Sequence, residues 1–157
     1  MVISDYPAKA ILDNINRNVQ KNVPSDLKPN VRVQGHEWGI LNDEFATANK
    51  GHFTRILAAD CFWMPGVHED LAQSMLHFLS STPAARVYAI GGFHTGRAKL
   101  AAFFDIAVEQ GLEIENIFEE DAVGTRRSWE KVRDGGRENT TERKKWLVIA
   151  ILKRPAS

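Results

Sequence analysis

A single cysteine, Cys61, stands in a chain of 157 residues. An internal disulfide is thereby excluded, as is every zinc site built on several cysteines, and one thiol fits a reducing intracellular compartment. The chain also lacks a surplus of either charge, with 20 Lys and Arg against 20 Asp and Glu. Electrostatics therefore give no reason to expect nucleic acid or an anionic membrane as partner, so the expected ligand is small or proteinaceous. No window approaches the roughly 20 apolar residues of a membrane span, and no basic segment leads into an apolar run and cleavage site. The chain reads as soluble, in cytoplasm or nucleus. Its five histidines, at 36, 52, 68, 77 and 94, show no H-E-x-x-H or other metal-binding spacing, so no metal site is expected.

What is present is a chain that is 43% hydrophobic, enough for one domain over residues 1–157 with a single sizeable core. Val2 to Ser4 form a short apolar run, and Pro7 then introduces Ile11, Ile15 and Val19 at helical spacing. A polar stretch leads to "VRVQGHEWG", whose alternation predicts a second strand ending at Gly35. A third strand lies in "FTRILAADCFW". Pro65-Gly66 then break the chain before a helix striped by Val67, Leu71, Met75, Phe78 and Leu79. "ARVYAIGGF" repeats the pattern as strand, and the next helix carries Leu100, Phe103, Phe104, Ala107 and Val108, with Gly111 as its stop. "LEIENIFEE" and "WLVIAILKR" read as two strands joined by a solvated charged connection from Asp121 to Lys145. The fold class is α/β, a mostly parallel sheet closed by an antiparallel C-terminal pair.

In open α/β sheets ligands gather at the carboxyl ends of the strands. Four such ends stand out. Asp5 closes the first strand, where a carboxylate can accept two ribose hydroxyls or simply cap a turn. Trp38 sits between glycines in "GHEWG", able to stack on an adenine or to pack over the sheet edge, while His36 and Glu37 read as polar loop residues. In "AADCFW", Asp60 can orient a substrate amine or cap the following turn, Phe62 and Trp63 can form an aromatic wall beside a cation, and Trp63 can instead join the core. Nothing places a base beside Cys61, so it is not expected to be a nucleophile. "AIGGFHTGR" looks like a nucleotide loop but has neither the P-loop ending nor the G-x-G-x-x-G spacing. It is read first as a tight strand-to-helix turn, with His94 and Arg97 as alternatives for a substrate mouth or an anion.

Taken in order, "SDYP", "VQGHEWG", "ILAADCFWMPGVHEDLAQS", "GGFHTGR", "GLEIENIFEEDAVGTRRSW" and "ERKKWLVIAIL" resemble one family across nearly the whole chain. They look like the seven-strand, class I (Rossmann-like), S-adenosylmethionine-dependent methyltransferases of the lysine methyltransferase family 16 group. The likeness is to its fungal branch, once labelled nicotinamide N-methyltransferase and later recognised as methylating the elongation factor 1A N-terminus. "ADC" with "GFHTGR" is the most specific part. The resemblance implies that Asp5 binds the cofactor ribose, Trp38 lies beside the adenine, and Ala59 lines the cofactor through its backbone. It makes Asp60 to Trp63 the Asp-x-x-aromatic motif, with Asp60 positioning the nitrogen to be methylated and Trp63 where tyrosine or phenylalanine is commoner.

The resemblance also implies a truncation. The chain starts at the family's second strand, so the central first strand, the glycine-rich cofactor loop and the following helix are expected to be missing. The expectation is a six-strand remnant whose central gap is closed or filled by another polypeptide, with reduced cofactor affinity. Two functions follow. One is methyl transfer to a protein amine, a lysine or an N-terminus of an elongation-factor-like substrate, by an impaired chain or one needing a complementing segment in a homo- or hetero-oligomer. The other is a non-catalytic or repurposed fold, acting as a partner subunit or performing different, pericyclic or isomerising, chemistry on a small molecule.

Overall fold

A computed structural model describes residues 1–156. Strand β1 (Val2–Asp5) passes through Pro7 into helix α1 (Lys9–Asn22), which returns to β2 (Arg32–Gly35). The short helix α2 (Glu44–Ala48) follows, unforeseen in a loop of glycine, asparagine and aspartate; Asp43 caps it by accepting from the Ala46 N–H at 2.6 Å. Then come β3 (Arg55–Ala59), α3 (His68–Phe78), β4 (Arg86–Gly92) and α4 (Arg97–Glu109). Gly111, at φ +104°, ends α4 as anticipated: its own N–H and that of Leu112 turn back to the carbonyls of Val108 and Ala107.

The segment between β5 (Glu113–Asp121) and β7 (Trp146–Lys153) is more ordered than its charge suggested. It holds a short strand, β6 (Arg126–Ser128), and a one-turn helix, α5 (Thr140–Arg143), capped by Asn139. The charge runs there are not simply solvated, because several of the side chains turn inward onto one buried glutamate.

The strands form two separate sheets. One is the parallel pair β1–β2; the other has order β3-β4-β7-β5-β6. Only β3–β4 is parallel in the larger sheet, since β7 inserts antiparallel between β4 and β5 and β6 folds back on β5. The α/β class holds, but the balance is more mixed than the sequence pattern indicated. The strand count is seven rather than six because β6 is added, and among the described residues β1 pairs only with β2 and β3 only with β4.

The core sits on one face of the larger sheet. Ala58, Val87, Ala89, Val148, Ala150 and Leu152 point to that face and pack against α3 and α4 through Leu71, Met75, Leu100, Phe103 and Phe104. The alternate residues, in the rows Leu57–Tyr88–Ile151 and Ala59–Ile90–Ile149, point to the opposite face and stay partly or fully exposed, Leu57 at 74%. No helix among the described residues is long and apolar enough to cross a membrane.

Candidate active site

Asp5 lies at the end of β1, exposed, with its carbonyl accepting from the His36 N–H and one carboxylate oxygen accepting from the Tyr6 N–H at 2.7 Å. The second oxygen is left for another partner. Gly35, opposite Asp5 in the register, must be glycine, because a Cβ there would stand 2.9 Å from Pro7 Cβ.

The loop after β2 is held by a residue that sequence reasoning passed over. His36 is buried, its Nε2 3.4 Å from Ser74 Oγ, and its ring meets Phe78 edge-on at 5.0 Å. Burial lowers its pKa, outweighing the nearby Asp43 carboxylate. Ser74 also accepts from the Gly39 N–H at 2.9 Å, and Gly39, at φ +83°, passes so near Asp70 that a Cβ would lie 2.6 Å from its Oδ1. Trp38 is half-buried between these anchors and packs against the core. Ser74, a polar residue on the largely apolar buried face of α3, was the signal that a polar partner had to come from elsewhere.

Asp60 follows β3 directly with φ +55°, an uncommon conformation for a non-glycine residue. Its N–H donates to the Ile90 carbonyl at 2.6 Å, and its Oδ1 accepts from the Gly92 N–H at 3.2 Å. His94 Nε2 lies 3.8 Å from Oδ2. The carboxylate is thus exposed yet fixed, at the edge of a cavity of about 560 Å³ lined by Ala59, Asp60, Ile90, His94, Lys144 and Leu147. Trp63 is 50% exposed. The Cys61 thiol donates to the Ala59 carbonyl, and burial together with the Asp5 and Asp60 carboxylates pushes its pKa up to about 11. That keeps the thiol protonated.

Two residues assigned to substrate binding lie elsewhere. Phe62 is 1% exposed, tilted against Phe103 with ring centroids 4.4 Å apart and covered by Gly91, whose hydrogen-only side chain makes room for the ring. The turn is pinned by buried His68, whose Nε2 is 2.9 Å from the Phe62 carbonyl. Phe62 is therefore core, not an aromatic wall. Arg97 is buried too, against the Phe93 and Trp129 rings, donating to Glu119 at 2.5 Å and to Glu138 at 2.7 and 2.9 Å. Arg127 and Arg133 reach the same Glu119, which is fully buried. Burial alone would raise the Glu119 carboxyl, but hydrogen bonds from Arg97 and Arg127 hold it below the usual carboxylate range. Arg97 is a structural hub with no free donor face for an anion.

No protein-family model matches the chain. It is 33% identical over 119 residues to a protein N-terminal and lysine N-methyltransferase, EFM7, of Candida glabrata, covering 74% of this chain and 46% of that protein. It is 31% identical over 129 residues to the Schizosaccharomyces pombe efm7 protein of the same description, covering 76% and 49%. By sequence the chain is a relative of these methyltransferases. It spans about half the length of the curated relatives it matches. The fold agrees: a predicted O-methyltransferase from Agrobacterium tumefaciens superposes with TM-score 0.58 at 10% identity, over 99% of this chain and 63% of that one. A Galdieria sulphuraria protein described as a sarcosine dimethylglycine methyltransferase gives 0.60 at 14%, over 98% and 68%.

Proposed function

We propose that the chain is an S-adenosylmethionine-dependent methyltransferase-like protein that acts on a protein amine, a lysine or a chain N-terminus. The observation that carries this reading is Asp60: an exposed carboxylate held at an unfavourable φ by Gly92, facing a cavity at the end of β3 and sharing a rim with Asp5. Strain kept at a solvent-facing acid, with its backbone tied to the next strand, is what a positioning group requires.

The residues present fit one side of a nucleoside cofactor. Asp5 keeps one oxygen free for a ribose hydroxyl, Trp38 offers part of an aromatic face to the adenine, and Ala59 contributes backbone beside the cavity. Bound S-adenosylmethionine would supply a methyl group activated on a sulfonium sulfur. The protein's own part is alignment. Asp60 attracts the acceptor ammonium and orients its remaining N–H groups after proton loss to water, and the exposed Trp63 supplies an aromatic face to the cation. His94, beside Asp60, shapes the entrance. A second reading, a partner subunit, is favoured by the unpaired edges of β1 and β3.

The test is transfer of labelled methyl from S-adenosylmethionine to purified elongation factor 1A. Label on an amine nitrogen is the expected outcome. A folded chain that transfers none, or label on oxygen, contradicts the reading.

A further inference from the structure

The cavity at the end of β3 carries two fixed charges of opposite sign. Of the residues lining it, Asp60 supplies the one carboxylate and Lys144 the one ammonium, with the apolar Ile90 and Leu147 in the same lining. The strand order sets the charges on opposite walls: Asp60 follows β3, Gly92 ends β4, and Leu147, the register partner of Gly92, lies in β7. With strands about 4.8 Å apart, the two walls stand on the order of 10 Å from each other. Lys144 is also uncommitted. Along the connection before β7, Lys131 pairs with Asp105, Arg133 with Glu119 and Lys145 with Glu142, whereas Lys144 has no ion pair among the described residues. Its backbone is nevertheless held. The Lys144 N–H donates to the Thr140 carbonyl at the end of α5, and two residues on, Trp146 lies under the Arg127 guanidinium that reaches buried Glu119.

We propose that Lys144 is a specificity-determining residue of this cavity, selecting acceptor peptides that carry a carboxylate two or three residues from the amine. The proposal rests on the methyl-transfer reading above and narrows its substrate class. Asp60 holds the acceptor ammonium at one wall. A peptide leaving it in extended form advances about 3.3 Å per residue, so two to three residues, with the reach of the side chains, bring it to the other wall. A carboxylate arriving there meets an exposed ammonium that no acid of the protein occupies, whereas a lysine or arginine meets a like charge. The span between the charges offers Ile90 and the half-exposed Leu147, so the intervening residue finds apolar surface and no polar demand. Lys144 thus discriminates among peptides by attracting one sign of charge and repelling the other. Its flexible stem lets the ammonium follow the carboxylate while the backbone stays fixed.

The test is equilibrium binding by fluorescence anisotropy on the full chain, which needs no methyl transfer. The probes are short peptides labelled with rhodamine at an amidated C-terminus, each with a free N-terminal alanine amine and serine next, differing only in a third residue that is glutamate, glutamine or lysine. The glutamate peptide binds about 5-fold more tightly than the glutamine peptide, the upper end for an exposed ion pair, and the lysine peptide binds most weakly. Salt at about 1 M removes the difference. Lys144→Ala makes the glutamate and glutamine peptides equal, and Lys144→Glu reverses the order; Lys144 is exposed and has no ion pair to lose, so both variants fold. Methyl transfer to the same peptides is followed separately. A preference in binding that depends on Lys144, without transfer, supports the proposal and removes the methyltransferase reading alone. Equal binding of the glutamate and glutamine peptides, no binding of either, or a preference unchanged in Lys144→Ala overturns the proposal, and transfer to both peptides with equal kcat/KM would then leave the methyltransferase reading standing.

Discussion

Arg97→Ala lowers unfolding stability by about 3–5 kcal/mol, the range for breaking a buried ion pair by removing one partner. The side chain donates to two carboxylates and to the Glu130 carbonyl, and lies 4.2 Å from the centre of the Phe93 ring. Its loss leaves Glu119 buried with Arg127 and Arg133 only, leaves Glu138 with Arg127 alone, and releases the segment from Trp129 to Glu138 from the start of α4. Urea unfolding checks this as a fall in midpoint with unchanged slope. A loss below about 0.5 kcal/mol, the scale of a surface pair, would show that the cluster is not structural. The pH dependence has a defined sign. The folded-state pKa of Glu119 is depressed, so its contribution is full above the ordinary carboxylate pKa and is lost as pH falls through the lower folded value. Glu119→Gln flattens that acid limb.

Asp60→Ala lowers methyl transfer by about 100-fold, the cost of a misplaced reacting group, while changing cofactor affinity far less. The separation follows from position: Asp60 faces the cavity beside His94, whereas the ribose-binding role belongs to Asp5 on the neighbouring strand. Asp60→Asn keeps the Oδ1 that accepts from the Gly92 N–H and removes the charge, so it distinguishes geometry from electrostatics. Comparing single-turnover rates with cofactor titrations for both variants decides the matter. Equal losses in transfer and in cofactor affinity would remove Asp60 from the acceptor side.

The order of strands and helices was legible because apolar periodicity and the Pro and Gly breaks repeat along the chain. Asp5 and Asp60 could be singled out because each is an acid that immediately follows an apolar strand, a position fixed by local sequence. Burial was not legible in the same way. Phe62 lies only two residues beyond Asp60, yet it turns under the sheet because Gly91, on another strand, leaves space for its ring. Arg97 looked like a helix-start anion site. Its partners Glu119 and Glu138 lie 22 and 41 positions away, and nothing local announces them. The same distance hid the order in the charged segment: its alternating signs look solvated until Arg127 and Arg133 are seen to turn onto Glu119, buried in β5. That β1–β2 and the five-strand sheet are separate was likewise not written in the local pattern of either.

The most direct test of the proposed function is calorimetric titration of S-adenosylhomocysteine into the folded chain and its Asp5→Ala variant. The account predicts saturable binding, weakened about 10-fold or more when the free carboxylate oxygen of Asp5 is removed. No binding, or equal binding by both proteins, would contradict a cofactor site on the rim shared by Asp5 and Asp60.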